Sequence, residues 1–166
     1  MERITGIDVV NHLLVHAHHT NKKILVLGGR MYGGEDVSST MPTLKKLQLS
    51  SLTQAFWMEG YADIAHPAEN EEAVIAQTLK KLQPAYVFVA FGAPHQERWL
   101  IEHSDQLGMA VGGSFDVLTG QLKRAPSLFQ QLHLEWLFRL FQEPWRWRRQ
   151  TKLLLFFKEA VREFLK

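Results

Sequence analysis

The chain has 166 residues, of which 46% are hydrophobic and 22% charged, a composition that predicts a globular protein with one domain-sized core. It contains no cysteine, which excludes disulfide scaffolds, thiolate zinc sites and cysteine nucleophiles. The N-terminus lacks the apolar segment of a signal peptide, and no stretch approaches the roughly 18 apolar residues of a spanning helix. These features predict a cytoplasmic protein.

Charge is distributed unevenly along the chain, although the net charge is only +2. From Arg139 onward, eight basic residues face three acidic ones, so this segment carries +5 and the first 138 residues carry −3. A mildly acidic body with a basic tail suggests that the tail has an anionic partner of its own.

Helical and strand patterns alternate along the chain. Short apolar runs predict strands at 22–29, 51–61, 84–94 and 109–115, with the run at 51–61 ambiguous. Helical spacing predicts helices at 7–19, 68–82, 95–108 and 125–141, and a glycine-rich turn followed by a helix within 30–47. This alternation predicts an α/β fold with a Rossmann-like parallel sheet, helices on both faces and a C-terminal basic amphipathic helical appendage.

Three predicted strands end in unusual loops, at residues 28–34, 91–97 and 112–116. Ligands of such sheets bind beyond the carboxyl ends of the strands. The glycines of "GGRMYGG" either contact a phosphate or form a tight turn between a strand and a helix, since the motif is neither GxGxxG nor a P-loop. The polar residues of "FGAPHQE" either meet a ligand or cap the helix that follows.

Two carboxylates, Asp8 and Asp116, lie near predicted strand or helix ends, where each could act as a general base or as a helix cap. Lys123 and Arg124 form either an anion site or a charged loop. His12 and His16 are four residues apart, but with no paired carboxylate they favour a solvated helix face over a metal site. We therefore predict no metal site.

The C-terminal segment combines arginines with aromatic residues. Arg139, Arg146 and Arg149 flank a proline break and could clamp one diphosphate by bidentate hydrogen bonds. Residues 152–166 place apolar side chains on one helical face and basic ones largely opposite, which suits either an interfacial helix on anionic lipid or a helix packed on its own domain. The acidic body disfavours a nucleic-acid partner.

Three segments of the sequence stand out: "RITGID", "VFVAFGAPHQERWL" and the long run "GGSFDVLTGQLKRAPSLFQQLHLEWLFRLFQEPWRWRR". These motifs strongly resemble those of the WecG/TagA/CpsF family of bacterial glycosyltransferases. The resemblance covers nearly all of residues 3–165 and is weaker from about 30 to 60.

This resemblance implies an inverting, metal-independent hexosyltransferase that uses no cofactor. Its donor would be a UDP-sugar, often of the N-acetylmannosamine type, and its acceptor a polyprenyl-diphosphate-linked glycan of cell-envelope polysaccharide synthesis, such as teichoic acid or enterobacterial common antigen. The protein would be peripheral on the inner face of the plasma membrane, with an anionic membrane surface as a partner. Homo-oligomerisation stays open.

The resemblance also implies roles for individual residues. Asp8 matches the proposed general base, and Arg139, Arg146 and Arg149 match arginines proposed to bind the diphosphate. We expect the remaining substrate-binding residues to be Thr5, Gly28, Gly29, Gly92, Pro94, Gln96, Glu97, Asp116, Lys123 and Arg124.

Family members usually carry about sixty residues before the motif that begins here at residue 3, so the chain resembles an N-terminally truncated member. We expect a glycosyltransferase core at 1–143, without the family's usual first strands, and an appendage at 144–166 that binds membrane and diphosphate. The alternative function is a non-catalytic remnant or partner subunit that retains nucleotide-sugar or membrane binding.

Overall fold

The computed structural model describes residues 4–30, 32–37, 43–47, 49, 54–147 and 162–163. The chain divides into two compact units, Met1–Gln121 and Leu122–Lys166. This division falls earlier than the boundary we expected between residues 143 and 144, and the assignment of functions to those two segments stays a prediction.

The first unit is built on a six-stranded sheet with the order β2-β3-β4-β1-β5-β6. Strands β4, β1, β5 and β6 are parallel, whereas β3 pairs antiparallel with both β4 and β2. The strands are β1 (Ile24–Gly28), β2 (Gly33–Asp36), β3 (Leu44–Leu47), β4 (Ala55–Met58), β5 (Tyr86–Ala90) and β6 (Gly108–Ala110).

Four helices of the first unit cover both faces of this sheet, as predicted. One core contains side chains of α1 (Gly6–His19) and α4 (Ser114–Leu118), and the other contains side chains of α2 (Glu69–Leu82) and α3 (His95–Glu102). Strand residues alternate between the two cores, with Val26 in the first and Leu25 in the second. The mostly parallel α/β architecture is therefore confirmed.

The predicted helix within 30–47 is wrong, because the described part of this segment contains β2 and β3. Leu44 and Leu47, three residues apart, have the spacing of one helical face. In β3 this odd separation places them on opposite faces of the sheet, Leu44 in one core and Leu47 in the other. Both are buried because both faces of the sheet are covered.

In the second unit, the predicted helix at 125–141 is divided into α5 (Ser127–Gln131) and α6 (Glu135–Gln142). The backbone breaks at His133, whose φ is +59°. A 3-10 helix at Pro144–Arg146 follows α6. Apart from Arg162 and Glu163, the tail helix that we predicted at 152–166 lies outside the described residues.

Candidate functional site

The strand order of the first unit places a topological switch point between β1 and β5, and we call the region beyond the carboxyl ends of these two strands the crevice. After β1 the chain moves towards β2 on one side of the sheet, whereas after β5 it passes through α3 to β6 on the other. Neighbouring parallel strands whose connections diverge in this way form a ligand-binding crevice at their carboxyl ends. Gly28 and Ala90 pair at these ends, so the loops at 28–34 and 91–97 lie side by side.

The predicted glycine loop begins with two residues in the left-handed region, Gly28 at φ +78° and Gly29 at φ +81°. A Cβ on Gly28 would lie 2.4 Å from the Phe91 ring, and one on Gly29 would lie 2.5 Å from the Tyr32 ring. These glycines therefore allow both a tight turn and the close approach of two aromatic rings. The turn leads into β2, so the helix predicted directly after it is wrong. Contact of these glycines with a phosphate stays a prediction.

Phe91 connects the ends of three adjacent strands. It follows β5 directly, and its ring reaches the positions where Cβ atoms of Gly28, after β1, and Gly60, after β4, would lie. The ring also packs edge-on against Tyr61 and Trp99, with centroid distances of 5.3 and 6.1 Å. Phe91 thereby fixes the loops of β4, β1 and β5 relative to one another.

Gln96 joins the second and third predicted loops. This buried side chain accepts a hydrogen bond from the Gly112 backbone N–H at 3.2 Å and donates one to the exposed Glu97 at 2.8 Å. Its backbone N–H donates to the Gly92 carbonyl, and the Ala93–Pro94 bond in this turn is cis. The structure thus brings Gly92, Gln96 and Glu97 together with the loop after β6.

Asp116 lies in α4, directly beyond β6, and is buried. The Tyr32 hydroxyl donates to Asp116 Oδ1 at 2.7 Å, and Arg30 Nε lies 3.8 Å from the same oxygen. Burial raises the pKa of Tyr32, and the hydrogen bond to Asp116 raises this pKa further. The tyrosine therefore remains a proton donor that links the loop after β1 to the loop after β6.

Asp8 forms a capping box at the start of α1. Its Oδ2 atom accepts hydrogen bonds from Thr5 Oγ1 at 2.5 Å and from the Thr5 backbone N–H at 3.2 Å. The carboxylate is half-buried, and α1 contacts α4, the helix that carries Asp116. The capping role is thus present in the structure, and the role of general base stays a prediction.

A second polar network, which the sequence did not reveal, connects α2, α3 and the loop after β4. Tyr61 donates to Glu72 and accepts from Trp99 Nε1 at 3.0 Å. Glu72 also contacts His103 Nε2 at 2.9 Å, and the His103 ring stacks on Trp99 at a centroid distance of 3.9 Å. Only the folded chain brings these side chains together, since Tyr61 and His103 are far apart in sequence.

The remaining predicted cations belong to the second unit. Lys123 and Arg124 are exposed, and the side-chain amide of Gln142 bonds both the N–H and the carbonyl of Lys123 at 2.9 Å. Arg139 is half-buried, with its Nε 3.2 Å from the buried carboxylate of Glu143. The Arg146 side chain and the whole of Arg149 lie outside the described residues.

Within the described part of the chain, no group of three or more His, Asp or Glu side chains is arranged to hold a metal ion. No helix in those same ranges is long and apolar enough to cross a bilayer.

These features define an α/β protein with a crevice at a topological switch point, lined by glycine turns and polar side chains. The chain belongs to the WecG/TagA/CpsF family of glycosyl transferases, whose family model matches residues 1–166. The resemblance seen in the sequence is confirmed.

Several relatives share the name N-acetylglucosaminyldiphosphoundecaprenol N-acetyl-beta-D-mannosaminyltransferase. The Bacillus subtilis (strain 168) protein is 34% identical over 155 residues. The proteins of Staphylococcus aureus (strain MW2) and Bacillus spizizenii (strain W23) are each 32% identical over 155 residues. Each alignment covers 91% of this chain and 56% of the relative, so the chain spans little more than half the length of these relatives.

Proposed function

We propose that the chain is a glycosyltransferase that moves an N-acetylmannosamine-type sugar from a UDP-sugar to a polyprenyl-diphosphate-linked acceptor. The observation that carries the proposal is the alignment of 91% of the chain with proteins whose name states the transfer of an N-acetylmannosaminyl group to N-acetylglucosaminyldiphosphoundecaprenol. The crevice between β1 and β5 supports it, since glycine turns and polar residues converge where open α/β sheets bind ligands.

The proposed reaction is an inverting displacement at the anomeric carbon of the donor. The acceptor oxygen forms a bond to that carbon as the carbon–oxygen bond to UDP breaks, and UDP leaves with the electron pair. Asp8 takes the proton of the acceptor hydroxyl, while Thr5, which bonds Asp8 Oδ2, holds the carboxylate in place.

Arginine suits the charge that develops on the leaving UDP, because its guanidinium is permanently charged and matches phosphate geometry. We assign this role to Arg139, Arg146 and Arg149. The ion pair of Arg139 with Glu143 orients its guanidinium before any phosphate arrives. We place donor and acceptor contacts at the loops of Gly28, Gly92 and Asp116 and, in the second unit, at Lys123 and Arg124.

We further propose that the protein acts at an anionic membrane surface, where a polyprenyl acceptor resides. The second unit supports this, because six exposed large apolar side chains lie within its described part. These are Leu128, Leu132, Trp136, Phe141, Trp145 and Trp147. The +5 charge of the segment from Arg139 onward adds attraction to anionic lipid.

A transfer assay tests the proposed activity. It combines the chain with a panel of UDP-sugars and a short-chain prenyl-diphosphate N-acetylglucosamine acceptor, with EDTA present in one arm. We expect transfer from UDP-N-acetylmannosamine that persists in EDTA. Asp8→Asn lowers turnover by roughly 100-fold or more, as expected for loss of a general base, and leaves UDP binding nearly unchanged.

Asp105→Asn, a change of an exposed carboxylate outside the crevice, is the matched control and keeps wild-type turnover. Wild-type turnover in Asp8→Asn would leave Asp8 as a helix cap only. A chain that binds UDP but transfers none of the sugars would favour the non-catalytic alternative, and activity restored only by a divalent metal would exclude the arginine mechanism.

A further inference from the structure

Arg30 is a cation at the crevice to which the sequence pattern gives no role. It lies two residues beyond β1, the central strand that pairs with β5, and directly after the left-handed Gly29. In the chain between β1 and β2 it is the one basic residue. Its side chain is 43% exposed, so a ligand in solution can reach it.

The position of Arg30 is fixed by the buried pair of Tyr32 and Asp116. Arg30 Nε lies 3.8 Å from Asp116 Oδ1, the atom to which the Tyr32 hydroxyl donates, and the backbone of Arg30 hydrogen-bonds Tyr32. Tyr32 is 1% exposed and Asp116 6% exposed. An exposed guanidinium is thus oriented by an interior carboxylate, which limits the conformational entropy that it loses when it binds an anion.

An isolated surface ion pair would explain the contact without a ligand, but such pairs contribute little to stability. It would not explain why the carboxylate is buried and bound by a buried tyrosine, since a buried carboxylate is unfavourable unless it is hydrogen-bonded. The buried pair is better explained as a support that orients the Arg30 guanidinium towards an anionic ligand.

We propose that Arg30 binds the diphosphate of the nucleotide donor, with Asp116 and Tyr32 as its positioning residues. This inference rests on the proposed function, which supplies a nucleoside diphosphate ligand for the crevice. A guanidinium forms parallel, charge-assisted hydrogen bonds with phosphate oxygens, and these are among the strongest polar contacts that proteins make. Asp116 itself lies inside the fold, so its charge is turned away from solvent.

Calorimetric titration of the full chain with UDP, and ligand-observed NMR titration with uridine, test the assignment. We expect Arg30→Ala to weaken UDP binding by about 10- to 100-fold, the range for a lost charged hydrogen bond, and to leave uridine binding unchanged. The UDP affinity of Arg30→Lys should lie between those of the wild type and Arg30→Ala, since lysine keeps the positive charge but lacks the planar guanidinium. Asp116→Asn should also weaken UDP binding selectively, because the guanidinium loses its orientation.

Lys81→Ala, at the end of α2, removes an exposed cation outside the crevice and should leave the UDP affinity unchanged. Equal UDP affinity of Arg30→Ala and wild type would overturn the assignment while leaving the donor proposal intact. Parallel losses of UDP and uridine affinity would also overturn it, because Arg30 would then only support the fold. A wild-type chain that binds no UDP would refute the UDP donor and this assignment together.

Discussion

Two buried tyrosines, Tyr32 and Tyr61, each donate a hydrogen bond to a carboxylate beyond the end of a strand. Burial raises the pKa of both hydroxyls, and the hydrogen bonds to Asp116 and Glu72 raise these pKa values further. Both phenols therefore stay protonated in the folded state, where each donates a hydrogen bond to an acidic side chain.

These raised pKa values predict a loss of stability at alkaline pH. The unfolded phenols ionise near pH 10.0, whereas the folded ones hold their protons to higher pH. The contribution to stability is thus fully present below that pH and is lost as pH rises towards the folded pKa. The free energy of unfolding should fall by about 1.4 kcal/mol per pH unit for each tyrosine, measured by urea denaturation at a series of alkaline pH values.

Tyr32→Phe and Tyr61→Phe should each make this alkaline decline shallower, although both lower stability at neutral pH by removing a donor from a carboxylate. Tyr86→Phe is the matched control, since Tyr86 at the start of β5 belongs to neither network, and it should keep the wild-type slope. An unchanged slope in both other variants would show that these phenols ionise as readily in the folded chain as in the unfolded one.

At the scale of secondary-structure elements, Phe91 holds the ends of neighbouring strands together. Its ring fills the space above Gly28 and Gly60 and contacts Tyr61 and Trp99, so it couples three strand ends to α3. Interiors are packed densely enough that an added methyl group at such a contact forces a rearrangement. The crevice is therefore shaped by a hydrophobic contact rather than by the polar residues that line it.

A pair of glycine substitutions separates this contact from backbone strain. Gly28 and Gly120 have nearly equal φ values, +78° and +76°, but only Gly28 has a side chain against the position of its Cβ. Gly120→Ala should cost about 1–2 kcal/mol of unfolding free energy from the left-handed backbone alone. Gly28→Ala should cost about 1–3 kcal/mol more because its methyl group meets Phe91.

The control for this comparison is a double-mutant cycle. In a Phe91→Leu background the smaller side chain can move aside, so the additional cost of Gly28→Ala should shrink while that of Gly120→Ala stays the same. If Gly28→Ala and Gly120→Ala cost equal amounts in the wild-type background, Phe91 does not constrain the turn after β1.

Helices and strands could be predicted from the sequence where the spacing of apolar residues fits only one type of secondary structure. The helix at 7–19 and the helix at 68–82 are confirmed, because amphipathic spacing over four turns has no strand equivalent. The helix predicted within 30–47 is wrong, because a spacing of three residues fits one helical face as well as the two buried faces of a strand. The break at His133 had no sequence signal, because neither glycine nor proline marks it.

The candidate site shows the same division between local and tertiary information. The loops at 91–97 and 112–116 were recognised from their position after apolar runs, and the bond from Gly112 to Gln96 confirms that they meet. The partners Tyr32 and Arg30 of Asp116 were not recognised, because they lie 84 and 86 positions away in the chain. Such contacts depend on strand order, which the local patterns did not specify.

At the scale of the whole molecule, charge and exposed apolar surface are both concentrated towards the C-terminus. The described part of the first unit exposes five large apolar side chains, whereas the much shorter segment at 122–147 of the second unit exposes six. Basic charge and exposed aromatic side chains are together typical of proteins that bind at a membrane interface. The first unit, with its acidic balance, lacks this combination in its described residues.

This distribution predicts which surface binds lipid. Trp136→Ser combined with Trp145→Ser removes two aromatic side chains that are 53% and 65% exposed, and should weaken cosedimentation with phosphatidylglycerol-containing vesicles by tenfold or more. Full burial of a large apolar side chain contributes roughly 1.5–3 kcal/mol, so partial burial of two suffices for that factor. The matched control, Ile101→Ser with Leu107→Ser, alters side chains of the first unit that are 76% and 69% exposed and should bind as wild type does. Binding should also weaken with added salt, and equal binding by both double variants would exclude the second unit as the lipid-binding surface.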